Sequence, residues 1–223
     1  MHTFLFLLMG CMDVEKEDSG EQQISDPISV SVRILDAMGG ELPEGILLTS
    51  SLEEQTLDAS AMGTILVPGE SQFRIDVDAV GYVTHELVAM SGKEDISLVT
   101  LLASENISLQ MYGMLGLEAK PEKGTLIVAL DYPDLSPAVG ATASIDSSHD
   151  GAFVLGAMGP SFSNVVPSSA GFVSFSNVEP GPTTISVTPP EGKNCWFYDA
   201  GGQSATISVT AAHATVAFFM CDD

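Results

Sequence analysis

The chain has 223 residues, enough for one large domain or two small ones, and its 45% apolar content excludes a wholly disordered protein. Acidic residues number 30 against 7 basic ones, a net charge of −23. A field of that sign repels nucleic acid and anionic lipid head groups, which argues against both as partners, and it keeps an exposed protein soluble.

At the N-terminus, residues 3–9 (TFLFLLM) form an apolar run that ends in Gly10 and Cys11. A bilayer span takes about 20 apolar residues, so this run is too short to cross a membrane. Leu8-Met9-Gly10-Cys11 resembles the lipobox of bacterial lipoprotein signal peptides, in which a small residue precedes the cysteine that becomes the mature N-terminus. The run departs from that pattern in having no Lys or Arg before it. The resemblance implies a signal peptide over residues 1–10 and a diacylglycerol and a further acyl chain on Cys11. At roughly 0.8 kcal/mol per buried CH₂, such chains make a durable anchor. The competing reading is an apolar first β-strand with a buried free thiol. Against it stand residues 12–26 (MDVEKEDSGEQQISD), with six acids, one lysine and almost no apolar content. That is the composition of a disordered acidic tether, spanning residues 11–26, which would cut such a strand off from any core.

Beyond the tether, period-two alternation dominates. Ile28, Val30, Val32 and Ile34 alternate with Ser29, Ser31 and Arg33, as in a half-buried strand. The same pattern recurs in FRIDVD (73–78), TISV (184–187) and TISV (206–209). The best helix candidate is the segment 51–61 (SLEEQTLDASA), which reads equally as a loop. Gly39-Gly40, Pro68-Gly69, Ser91-Gly92, Asp150-Gly151, Pro180-Gly181 and Gly201-Gly202 punctuate the runs at short intervals. Short strands with frequent turns predict an all-β protein built as sandwich or barrel.

Two stretches look alike: Gly63-TILV-Pro68-Gly69 leads into FRIDV, and Gly171-FVSFSNVE-Pro180-Gly181 leads into TTISV. In each, proline presets φ at the second turn position and glycine is expected to take the positive φ of the third. The folded part therefore divides into a first β-sandwich over residues 27–104, a connecting segment over 105–123 and a second β-sandwich over 124–223. Within the connection, Ile107, Leu109 and Met111 alternate and read as a strand belonging to either side.

The unit VPG…FRIDVDAVGY, and more fully SSAGFVSFSNVEPGPTTISVTPPEGKNC, resembles the carboxypeptidase regulatory-like domain, an Ig-like, transthyretin-like β-sandwich. Val139-Gly140-Ala141 is similar to that family's segment before its third strand, and Asp150-Gly151-Ala152-Phe153 to its DGxF element. The resemblance spans about 100 residues of the second domain and about 75 of the first. It implies a non-catalytic folding or binding module of the kind frequent in bacterial envelope lipoproteins.

Of the three cysteines, Cys195 and Cys221 lie 26 residues apart beside alternating apolar segments, so a disulfide is expected in an oxidising envelope, with two free thiols as the alternative. Trp196, Phe197 and Tyr198 follow directly; Trp196 and Tyr198 are candidates for a carbohydrate platform, while aromatic packing on the disulfide is the structural alternative. Asp146, Ser148 and Asp150 have the opening spacing of a calcium loop, with Gly151 at the sixth place. The twelfth place is Ala157, where that loop needs a bidentate glutamate, so a polar Asp-Gly turn explains the residues without a metal.

Catalytic templates fail in turn. His85-Glu86 opens a zincin-like string whose second histidine is replaced by Ala89. Cys195-Trp196 is similar to a papain-like nucleophile, but Gly192-Lys193-Asn194 does not fit the residues before it, and His213 is the sole candidate base after it. No GxSxG elbow or Walker loop occurs, Ser148-His149-Asp150 are neighbours in sequence rather than a spatial triad, and Asn106-Ile107-Ser108 matches a glycosylation acceptor by pattern alone. The sequence thus predicts a non-enzymatic lipoprotein of the bacterial envelope, anchored at an outer membrane and needing no cofactor. It would act as a spacer or as a module binding an envelope protein or glycan, the alternative being a calcium- or carbohydrate-binding module.

Overall fold

The computed structural model describes residues 26–156, 158–198 and 202–222. Cys11, the signal peptide and all but the last residue of the tether lie outside them. Among the described residues the protein is all-β, with sixteen strands and one short helix.

The first seven strands form one sandwich. β1 (Ile28–Asp36) lies between β4 (Met62–Val67), antiparallel to it, and β7 (Ile96–Leu102), parallel to it. Facing this sheet, β5 (Gln72–Asp78) lies between β6 (His85–Met90) and β2 (Leu47–Thr49), both antiparallel to it, with β3 (Glu54–Thr56) outside β2. Val30, Val32, Ile65, Ile75 and Leu87 fill the space between the sheets.

The second half repeats the plan of the first apart from β3. β8 (Gly124–Asp131) lies between antiparallel β12 (Phe172–Val178) and parallel β16 (Ala214–Cys221). The opposing sheet sets β13 (Gly181–Thr188) between antiparallel β15 (Ser204–Val209) and β9 (Thr142–Ile145). Both Pro-Gly corners are arches that carry the chain from one sheet to the other, β4 to β5 and β12 to β13. The second half adds a hairpin, β10 (Gly151–Gly156) with β11 (Gly159–Phe162), beside β12, and β14 (Cys195–Phe197) on β16. Only Gly181 of the two corner glycines takes a positive φ, +123°. In the first corner that conformation falls on Glu70, and Gly69 is required by closeness, since a Cβ there would come within 2.4 Å of the Asp26 carbonyl.

β16 joins the halves. Its first four residues pair in parallel with β6 (His85↔Ala214 to Val88↔Ala217), its last three pair with β14, and β8 lies along its other side. One sheet of ten strands therefore runs through both sandwiches. The faces of β16 divide accordingly: Val216 and Phe218 join the first core, whereas Ala217, Phe219 and Cys221 join the second.

Two segments depart from the sequence reading. Residues 105–114 form α1 (Glu105–Met114) instead of a strand: Ser104 accepts a bond from the Ile107 N–H as N-cap. At the other end Gly116, at φ +70°, closes a Schellman turn in which Leu117 donates to the Tyr112 carbonyl and Gly116 to that of Gly113. The segment 51–61 is no helix. It begins in a turn held by the Ser50 hydroxyl, forms β3 against β2, and buries Leu57, whose N–H donates to Ile46; tertiary pairing overrides the helix propensity of Glu53, Glu54 and Gln55.

The disulfide Cys195–Cys221 links directly opposed residues of β14 and β16. Closing a loop of this length stabilises the fold by about 3 kcal/mol in the chain-entropy view. Because β16 serves both cores, calorimetry is expected to give one cooperative transition that moves down as a whole when Cys195 and Cys221 are both replaced by Ser. Two resolved transitions, only one of them sensitive to the replacement, would contradict the shared-strand account.

Candidate functional site

The upper sheet of the first sandwich ends at β7, while the floor beneath it continues through β16 and β8 to β12. The step between them is an apolar cleft of roughly 300 Å³. Its floor carries Val216 and Phe218 of β16, Ile127 and Ala129 of β8 and Phe172 of β12; Val99 and Leu101 of β7 and Met111 of α1 form the wall. The helix is fixed over the floor by Tyr112, whose hydroxyl lies 2.9 Å from Thr125 Oγ1. Volume and lining are those of a small-molecule pocket: mainly apolar, with a few polar groups.

Apart from the tyrosines Tyr112 and Tyr198, two titratable side chains enter the cleft. His85 is 1% exposed and its Nδ1–H donates to the Val83 carbonyl at 2.8 Å. Burial holds its imidazole down to about 4, against the opposing pull of the Val83 and Leu101 carbonyls. Asp131 stands at the other end of the β8 floor, half-buried, and burial alone pushes its carboxyl up to about 7. No group of the described residues bonds that carboxylate. Space for it exists because residue 171 is glycine: a Cβ there would fall 1.8 Å from Asp131 Oδ1.

On the opposite face of the same sheet a polar cluster clamps the two halves. Glu86, 3% exposed, pairs with Arg74 at 2.9 Å, lies 3.0 Å from His213 Nδ1 and accepts a bond from Thr215 Oγ1 at 3.0 Å. Arg74 reaches across to the Ser208 carbonyl at 3.0 Å. Beside them Asp76 is held above the ordinary carboxylate range, by burial first and by the Glu86 charge second. His213, a carboxylate and a hydroxyl thus meet, but in the wrong order for nucleophilic catalysis. The carboxylate sits in the middle and takes the hydroxyl's proton bond, so the imidazole faces no nucleophile. His85 and Glu86, adjacent in the strand, point to opposite faces of the sheet, so they cannot act together on one metal or substrate.

The remaining sequence candidates are dispersed. Asp146 accepts from the Thr184 N–H at 2.7 Å, while Asp150 pairs with Lys120 at 2.7 Å and accepts from Asn177 Nδ2 at 2.8 Å. The carbonyl of Ser148 accepts from the Glu179 N–H, and His149 donates to the Ser147 carbonyl and packs edge-on against Phe175. Asp146 and Asp150 are thus turned to protein partners. Cys195 and Phe197 point into the second core; Trp196 and Tyr198 share the other face, both half-buried, with Tyr198 packed against the first core and its hydroxyl 3.4 Å from the Ser97 carbonyl. Tyr198 is therefore wall as much as platform. Asp131 was missed by sequence reading because β8 shows an ordinary alternating pattern; the signal available was an acid ending an otherwise uncharged strand (GTLIVALD).

No protein-family model matches the chain, and no curated protein matches it. Among solved structures it is similar to the Bacillus anthracis TIE protein, at 12% identity and TM-score 0.30, over 88% of this chain and 34% of that one. GBS52, the minor pilin of Streptococcus agalactiae, matches at 10% identity and TM-score 0.32, over 88% of this chain and 96% of that one. The shaft pilin SpaA of Lactobacillus rhamnosus GG matches at 9% identity and TM-score 0.27, over 87% and 97%. The chain spans about a third of the length of the first of these. No function follows from likenesses at this level.

Replacing Arg74 by Ala leaves Glu86 buried with fewer partners; since Arg74 is itself partly exposed, a loss of about 1–3 kcal/mol is expected in chemical denaturation. A change below a few tenths would show that the clamp is not stabilising. Asp131 gives a pH signature. Its folded pKa lies above the unfolded value, so its ionisation opposes folding increasingly as pH rises from about 4 to 7. Asp131→Asn should accordingly raise the melting temperature at pH 8 and leave it nearly unchanged at pH 4; equal shifts at both values would refute the assignment.

Proposed function

We propose that this chain is a non-enzymatic recognition module of the bacterial cell envelope, tethered to a membrane by a lipid on Cys11. The acidic residues 12–26 hold the folded part away from the bilayer, and their charge keeps them from settling on anionic head groups. Cys195–Cys221 suits an oxidising compartment.

The cleft is the observation that carries the recognition reading. It is concave and mainly apolar, and among the described residues no charged side chain shifts Asp131, its one unpartnered titratable group. A cleft so furnished holds a molecule and does not transform it.

Expressed in a bacterium with lipoprotein processing, the protein is expected to fractionate with detergent-soluble membranes and to begin at Cys11. Cys11→Ala should move it to the soluble fraction. Identical fractionation of the two forms would remove the anchor from the proposal.

A further inference from the structure

The cleft has a polarity that narrows its ligand. Its floor along β8 runs Thr125, Ile127, Ala129, Asp131, so the carboxylate lies about 20 Å from the Thr125 end at the rise of an extended strand. At the Thr125 end the polar groups are already bonded: His85 to Val83, and Tyr112 to Thr125. At the other end Asp131 has no partner, and the small residues Ala129 and Gly171 keep its approach open.

Among the described residues no cation answers that carboxylate. Lys193 sits over the ring of the adjacent Tyr132, 5.8 Å from its centre, and no charged side chain shifts Asp131. The other titratable groups lining the cleft are His85, Tyr112 and Tyr198. Burying an ionised carboxylate beside apolar walls is unfavourable unless an opposite charge accompanies it. The whole chain, at −23, draws cations toward such a site.

We propose that the cleft binds a slender apolar small molecule carrying one protonated amine, its chain lying along Ile127, Ala129, Val216 and Phe218 and its ammonium paired with Asp131. This deepens the recognition reading above and rests on it. The apolar floor supplies contact area without direction, and the single carboxylate fixes which end of the ligand lies where. The pairing favours the ionised form of Asp131, so binding near pH 7 releases protons.

The test uses the full chain and three probes of one length: octylammonium, octanoate and octanol. Calorimetry at pH 8 is expected to show octylammonium binding at least tenfold more tightly than either of the others. Asp131→Asn should abolish that preference while leaving octanol binding unchanged. Lowering the pH to 5 should weaken octylammonium binding to the wild type severalfold. Ala129→Leu, which fills the floor, should weaken all three, and methyl resonances of Ile127 and Val216 should shift with the bound probes. Equal affinity for the three probes, tighter binding of octanoate, a preference for octylammonium that survives Asp131→Asn, or no binding at all would each overturn the inference. Membrane fractionation reads the tethered-module proposal separately: a protein that goes with membranes through Cys11 yet ignores octylammonium loses only the ligand.

Discussion

Everything distinctive in this molecule depends on one strand having two neighbours from different halves of the chain. β16 reads ATVAFFMC, without the polar alternation of a half-solvated strand, because both of its faces pack against a core and all but Met220 are buried. Its even-numbered side chains Val216 and Phe218 close the first core, and its odd-numbered Ala217, Phe219 and Cys221 close the second. The sole hydroxyl in the strand, Thr215, is buried and bonded to Glu86 of β6. That bond meets the hydrogen-bonding demand of the one polar side chain the junction buries on the β16 side. The cleft is a by-product of the same arrangement: adding β16 and β8 to the edge of β6 extends the floor beyond the reach of the sheet above.

The repeated plan gives two strands equivalent places. β7 holds in the first sandwich the place that β16 holds in the second, parallel partner of the opening strand. β16 goes one step further and pairs with β6, whereas the equivalent edge of β7 is guarded by side chains. Tyr198 reaches the Ser97 carbonyl and His85 the Leu101 carbonyl. Side chains laid against an open edge discourage pairing with a further chain.

Much of the architecture was legible in the residues. Alternation in β1, β5, β13 and β15 follows from one face being dry and one wet, and that periodicity is local. The Pro-Gly corners were visible as matching units, and the partnership of Cys195 with Cys221 followed from their number and context. What failed was of two kinds. α1 was misread because Ile107, Leu109 and Met111 mimic a period of two, while the features that decide it, the Ser104 cap and Gly116, are single residues at its ends. The shared sheet was invisible because β16 is apolar throughout, which says that both faces are buried but not by what. The site suffered the same limit: Asp131 is ordinary in sequence and becomes unusual only when Gly171, 40 residues on, turns out to leave space for it.

The pairing of β6 with β16 also sets when the chain can finish folding. Glu86 and Thr215 are separated by 129 residues, so the first sandwich acquires its last strand only from the final stretch of the polypeptide. Until that stretch emerges, the edge of β6 and Val88 on its outer face have no cover. Contacts of such long range must await closure of a large loop and make folding slow. For a chain handed across a membrane as an extended thread, that delay is useful. Were the chain exported as proposed above, its N-terminal half would not lock into its finished form while the remainder was in transit, and completion would fall to the compartment where Cys195 and Cys221 are oxidised.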